Sequence, residues 1–265
     1  PNIPQNEKWS PGKQKLILKQ LASQTEAHWG SDIIVWPEAA VPTLPQRIPN
    51  FMSRMTDRAN DSGSTLLTGI ITYDINQEKY HSSVLAIGKN SGQYNKTRLV
   101  PFGEYVPLES VLRGLIKFFD LPMSSLAIGD SDQPLFSIKE QLIATAICYE
   151  VVYPDLVARI TRESSVMLTV SNDTWFGRSL APEQHMQMAQ MRALENAKPM
   201  VRGTNNGISA LVDHQGRIYQ SIEQYSQGEL VGTIDPRNGR TVFSKYGSWP
   251  TVVLIILILI NFLIF

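Results

Sequence analysis

The chain's one cysteine, Cys148, closes the run Leu142-Ile143-Ala144-Thr145-Ala146-Ile147 and precedes Tyr149-Glu150. A free thiol has a pKa of ~8.5, so it is mostly protonated at neutral pH and becomes a nucleophile only beside a base. Two residues at other predicted strand ends have the complementary types. Glu38 follows Asp32-Ile33-Ile34-Val35-Trp36 through Pro37, just past the carboxyl edge where open α/β sheets place their ligands. Lys96 lies in Tyr94-Asn95-Lys96-Thr97-Arg98, after His81-Ser82-Ser83-Val84-Leu85-Ala86-Ile87-Gly88. A buried glutamate can take the thiol proton and return it to a leaving group. A lysine ammonium can hold thiolate charge and donate to a developing oxyanion. Together they suit acyl transfer through a thioester. Taken singly, each has a plainer explanation: an inert core thiol, a charge at a helix entry, a solvated surface lysine.

Short β-branched runs alternate with amphipathic stretches, which predicts an α/β layered domain. Strands are expected at 32–36 (stopped by Pro37), 65–72, 81–88, 141–148, 166–170, 207–213 and 228–234. Helices are expected at 12–27, with Leu16, Leu18 and Leu21 as its apolar face, at 47–62 and 156–161, and from Pro182 to about Ala197. Pro182 suits a first helical turn.

Composition narrows the function. With 24 Lys+Arg against 24 Asp+Glu the net charge is zero, which argues against nucleic acid as a partner. An apolar fraction of 43% excludes global disorder. One cysteine excludes a disulfide scaffold, and His28, His81, His185 and His214 sit at no zinc-ligand spacing. No metal or cofactor is expected.

The two ends stand apart. From Val252 to Phe265 only Asn261 is polar. A bilayer span takes ~20 apolar residues, so this stretch reads as the start of a transmembrane helix cut short; a buried C-terminal strand or core helix is the alternative. The division expected is a catalytic domain at 1–248 and the start of that helix at 249–265. The opening Pro1-Asn2-Ile3-Pro4-Gln5 reads as truncated too, so the chain is expected to be a fragment. The segment 102–132 carries Leu112, Leu115, Ile116, Phe118 and Phe119, apolar enough to suggest an arm dipping into a bilayer surface. A loop helix packed on the domain is the alternative.

Trp36-Pro37-Glu38, then Tyr94 through Glu104 (YNKTRLVPFGE), then Ile147-Cys148-Tyr149-Glu150 resemble the nitrilase (carbon–nitrogen hydrolase) superfamily with its Glu-Lys-Cys triad. Ser171 through Gly177 (SNDTWFG), Glu183-Gln184-His185, Arg192 through Asn196 (RALEN) and Arg202 through Gly207 (RGTNNG) are similar to its apolipoprotein N-acyltransferase branch.

That resemblance implies an αββα sandwich on the periplasmic face of the bacterial inner membrane, held there by transmembrane helices. It also implies that membrane helices and part of a first strand precede Pro1. Cys148 is then the nucleophile, Glu38 the general base, and Lys96 the stabiliser of thiolate and oxyanion. Glu104 orients Lys96, Glu150 positions the attacking amine, the Tyr149 N–H is a second oxyanion donor, and Asn172 and Trp175 shape the pocket wall. Arg202 and Asn205 form a polar pair near a strand end. The implied reaction moves a fatty acyl group from phospholipid to Cys148, then to the α-amino group of the S-diacylglyceryl cysteine of an apolipoprotein. Two other readings stay open. One is an amidase of the same superfamily hydrolysing a small carbon–nitrogen bond; the other is an inactive membrane-anchored binding module.

Overall fold

In the computed structural model, which describes residues 1–105, 107 and 126–264, the apolar runs become strands of two sheets. The first sheet holds β1 (Ile33–Val41), β2 (Thr65–Asp74), β3 (Lys79–Ile87) and β4 (Gly92–Asn95) in that order, with β1 and β2 parallel. The second comprises β5 (Phe136–Ile138), β6 (Gln141–Ile147), β7 (Val166–Ser171), β8 (Met200–Thr204), β9 (Ser209–Val212) and β10 (Ile218–Ile222). Its order is β10-β9-β8-β7-β6-β5, with β6, β7 and β8 parallel.

Alternation along the strands sorts the buried apolar residues into separate cores. Leu67, Val84 and Tyr94 of the first sheet meet Ile143, Ile147, Val166, Leu168 and Val170 of the second. The odd and even residues of β7 thus point to opposite layers, since Met167 joins Met186, Ala189 and Ala193 instead. Those three belong to a helix on the second sheet's outer face. The helices are α1 (Gln5–Lys8), α2 (Gln14–Thr25), α3 (Pro49–Ser62), α4 (Pro154–Ile160), α5 (Ala181–Asn196), α6 (Val242–Tyr246) and α7 (Trp249–Ile264). α2 and α3 cover the first sheet through Ile17, Leu18, Leu21 and Met55. α4 and α5 cover the second. The layering is αββα.

Several boundaries differ from expectation. β1 continues through Pro37 to Val41, because the proline opens a bulge instead of ending the strand. The register runs Trp36↔Thr68, then Val41↔Ile70, and Ala39 takes the left-handed φ of 46°. Proline has no N–H for the ladder, so the chain swells outward there. Beneath the swelling is Gly69, where a Cβ would lie 2.3 Å from the Pro37 carbonyl oxygen. α2 buries Ile17, not Leu16, which is 58% exposed. Residues 228–234 form no strand; β10 pairs with β9 instead. Cys148 lies one residue beyond β6, in a 3₁₀ turn.

α7 is uncharged and exposed from Val252 to Phe262. Among the described residues no helix is long and apolar enough to cross a membrane. The proposed arm residues Leu112, Leu115, Ile116, Phe118 and Phe119 lie outside the described residues.

Candidate active site

Four chain segments deliver the candidate groups to one end of the sandwich. The β1 bulge carries Glu38, the end of β4 carries Lys96, the turn after β6 carries Cys148, and the end of β7 carries Asn172. Lys96 is fixed at its backbone: its N–H donates to Ser82 and its carbonyl accepts from Gly129. Its side chain is completely buried, and Nζ donates to Glu38 Oε1 at 3.1 Å and to Glu104 Oε1 at 2.8 Å. The remaining oxygens are also engaged. Glu38 Oε2 accepts the Asn172 N–H at 2.9 Å, and Glu104 Oε2 accepts the Val100 N–H at 2.8 Å.

Cys148 sits in this field with a left-handed φ of 51°. Such a backbone is costly for a residue with a Cβ and persists only where the surroundings impose it. Two contacts impose it here. Ile147 N–H donates to Glu150 Oε2 at 2.7 Å, and His185 Nε2 donates to the Cys148 carbonyl at 3.1 Å. Behind His185, Asp173 Oδ1 lies 3.0 Å from Nδ1 and accepts from the Ser171 hydroxyl at 2.5 Å, while Oδ2 accepts from Arg202 at 3.1 Å.

The electrostatics follow from burial and pairing. Burial, reinforced by the Glu38 charge and opposed by Lys96, pushes the Cys148 thiol up to about 12. The resting sulfur is therefore a thiol, and its attack on a substrate needs simultaneous proton removal. Burial acts to lower Lys96, but the charges of Glu38 and Glu104 outweigh it and keep the ammonium. Burial raises Glu104, against the Lys96 charge. For Asp173 burial acts upward, yet the hydrogen bond from His185 and the Arg202 charge win and hold it at about 2.

The structure holds Glu38 and Glu104 against Lys96, with Cys148 within electrostatic reach of Glu38 and Lys96, and it places the other expected residues differently. Glu150 is wholly buried and saturated: it accepts from Tyr94, from the Thr97 N–H and hydroxyl, and from Ile147. It ties the lysine's loop to the cysteine's turn and offers no oxygen to an incoming amine. Asn172 reaches Glu38 through its backbone, while its side chain joins Gln5, Thr174 and Asn205. Trp175 is 64% exposed. The Tyr149 N–H opens a 3₁₀ turn, where first-turn donors lack helical partners, and its ring packs edge-on against Tyr153 at 5.1 Å. Arg202 and Asn205 are buried cross-links, the latter to Ile3.

One residue the sequence did not single out is Lys8. It is 1% exposed and donates from Nζ to the Glu38 carbonyl at 3.0 Å. A lysine reads as surface by default, and nothing in the chain around it signals otherwise. Among the described residues no group of three or more His, Cys, Asp or Glu could hold a metal. A cavity of about 520 Å³ runs between β1 and residues 228–236, but Glu38, Lys96 and Cys148 do not line it.

Residues 3–242 match the family model for carbon-nitrogen hydrolase. The chain is 46% identical over 252 residues to the apolipoprotein N-acyltransferase of Pseudomonas aeruginosa, covering 94% of this chain and 49% of that protein. It is 41% identical over 259 residues to the apolipoprotein N-acyltransferase of Photobacterium profundum, covering 94% and 50%. The chain thus spans about half the length of the curated relatives it matches. Among solved structures, Caenorhabditis elegans NitFhit aligns with a TM-score of 0.64 at 15% identity, covering 80% of this chain and 55% of that one. Saccharomyces cerevisiae Nit3, a member of branch 10 of the nitrilase superfamily, aligns with a TM-score of 0.63 at 16% identity, covering 81% and 82%. By sequence and by fold, the chain belongs to the carbon–nitrogen hydrolase family.

Proposed function

We propose that this chain is the catalytic domain of an apolipoprotein N-acyltransferase, with Cys148 as nucleophile, Glu38 as general base and Lys96 as charge stabiliser. The observation that carries this is Lys96 Nζ held between Glu38 and Glu104 beside a cysteine on a left-handed turn. Similarity to named acyltransferases along nearly the whole chain supports the choice of reaction.

In the first half-reaction Glu38 takes the thiol proton as Cys148 Sγ attacks the carbonyl carbon of a phospholipid ester. The oxyanion is met by Lys96 and the Tyr149 N–H. The carbon–oxygen bond breaks, Glu38 returns its proton to the departing alkoxide, and a lysophospholipid leaves. In the second, the α-amino group of an S-diacylglyceryl cysteine attacks the thioester. Glu38 takes a proton from that amine, the amide forms, and the thiol is restored. Water must be excluded, since hydrolysis would discharge the thioester.

The setting belongs to the same proposal. α7, an uncharged helix exposed from Trp249 to Phe262, is read as part of a membrane anchor, with the domain on the periplasmic face of the bacterial inner membrane. The test supplies the protein, reconstituted with phospholipid, with a diacylglyceryl peptide. The expected products are lysophospholipid and the N-acylated peptide in equal amounts. Free fatty acid with no acylated peptide would mark a hydrolase instead.

A further inference from the structure

Lys96 is one ammonium between two carboxylates. If Glu38 and Glu104 are both ionised, these three groups alone leave one negative charge in a buried site, which low-polarity surroundings penalise. The sulfur of Cys148 must acquire negative charge in that same place. A second cation stands there: Lys8, on α1, donates to the Glu38 backbone carbonyl at 3.0 Å and is almost fully enclosed.

We propose that Lys8 is a positioning residue that acts by charge: its ammonium completes a neutral cluster with Glu38, Lys96 and Glu104, so that moving the thiol proton to Glu38 adds no net charge to those groups. This deepens, and rests on, the reading of Cys148 as nucleophile. Before proton transfer the cluster holds two carboxylates and two ammoniums. Afterwards it holds a thiolate, the Glu104 carboxylate and the same two ammoniums. Without Lys8 both states carry an excess negative charge, and the route back to neutrality is a proton on Glu104, whose burial already favours one.

The groups acting on Lys8 come from separate segments. Burial lowers it to about 8, while Glu38 of β1 and Cys148 after β6 act in the opposite direction. At neutral pH Lys8 therefore remains largely charged.

The experiment follows alkylation of the single cysteine by iodoacetamide, read by mass, across the neutral and alkaline range. Lys8→Gln keeps a donor toward the Glu38 carbonyl but deletes the charge; Lys8→Arg keeps the charge. Lys8→Gln should slow alkylation at neutral pH about tenfold, and its gap from the wild type should close as the pH rises through the Lys8 value of about 8. Lys8→Arg should restore most of the rate. The double variant Lys8→Gln/Glu104→Gln removes one charge of each sign and should react faster than Lys8→Gln alone. If Lys8→Gln fails to fold, recovery of folding in the double variant supports charge balance, and failure of both overturns it in favour of a structural lysine. A wild-type profile in a folded Lys8→Gln protein overturns the Lys8 role alone. A wild-type thiol inert at every pH overturns the nucleophile assignment and this proposal with it.

Discussion

Each charged group around Lys96 is held by another, so single substitutions leave a buried partner exposed to the full cost of burial. Lys96→Met strands Glu38 and Glu104 and should lower stability by about 3–5 kcal/mol, the usual cost of breaking a buried pair; a denaturant melt reads it. Glu38→Gln keeps the shape and loses the base, so thioester formation should fall by about 10²–10⁴-fold in a single-turnover assay. Asp173 gives a pH signature. Its carboxyl drops from 3.8 to about 2 on folding, so its contribution is complete above the unfolded value. That contribution is lost as pH falls through the folded one. Linkage puts it at about 2 kcal/mol. Asp173→Asn should therefore flatten the acid limb of a stability–pH curve between those values while lowering the neutral plateau.

At the scale of elements, the proposed nucleophile and base both sit where regular structure is broken, Cys148 at a left-handed turn and Glu38 in a proline bulge. Gly69→Ala tests the bulge directly. A methyl group 2.3 Å from the Pro37 oxygen must lift residues 37–40, moving Glu38 while sparing the triad's chemical groups. The expected result is a folded protein with slowed acylation, seen as retained circular dichroism with a reduced single-turnover rate.

These same places mark what could be seen in the sequence and what could not. The parallel core strands β6 and β7 were legible because burial on both faces demands nearly continuous apolar runs. Glu38, Lys96 and Cys148 were legible by type and by resemblance. The bulge was not, since Pro37 reads as a strand end unless a neighbouring glycine is known to lie beneath it. The resemblance alone gives Glu150 a place beside the attacking amine; its saturation by Tyr94, Thr97 and Ile147 depends mostly on pairings remote in sequence. β10 escaped because Ile218–Ile222 is exposed at a sheet edge and lacks a buried periodicity. Residues 228–234, apolar enough to suggest a strand, run instead past Leu211 and Gln220, which would crowd a Cβ at Gly232.

For the molecule as a whole, α7 is apolar on every side, which a helix in water does not sustain without a cover. Bilayer is the cover proposed here. Replacing Ile255 and Ile258 with lysine should abolish co-sedimentation with phospholipid vesicles, because each charge at a helix centre costs roughly 2.5–3.5 kcal/mol on insertion scales. Reaction of Cys148 with a short soluble ester should be unchanged in that variant, since the buried cluster around Lys96 is built from other elements.

In the proposed reaction Cys148 carries the acyl group. Intact-protein mass spectrometry after incubation with a phospholipid of defined chain length reads it directly. The expected result is one fatty-acyl mass on Cys148, removed by hydroxylamine, discharged by a diacylglyceryl peptide and absent in Glu38→Gln. Acylated peptide produced while Cys148 stays unmodified, or produced by Cys148→Ala, would contradict it.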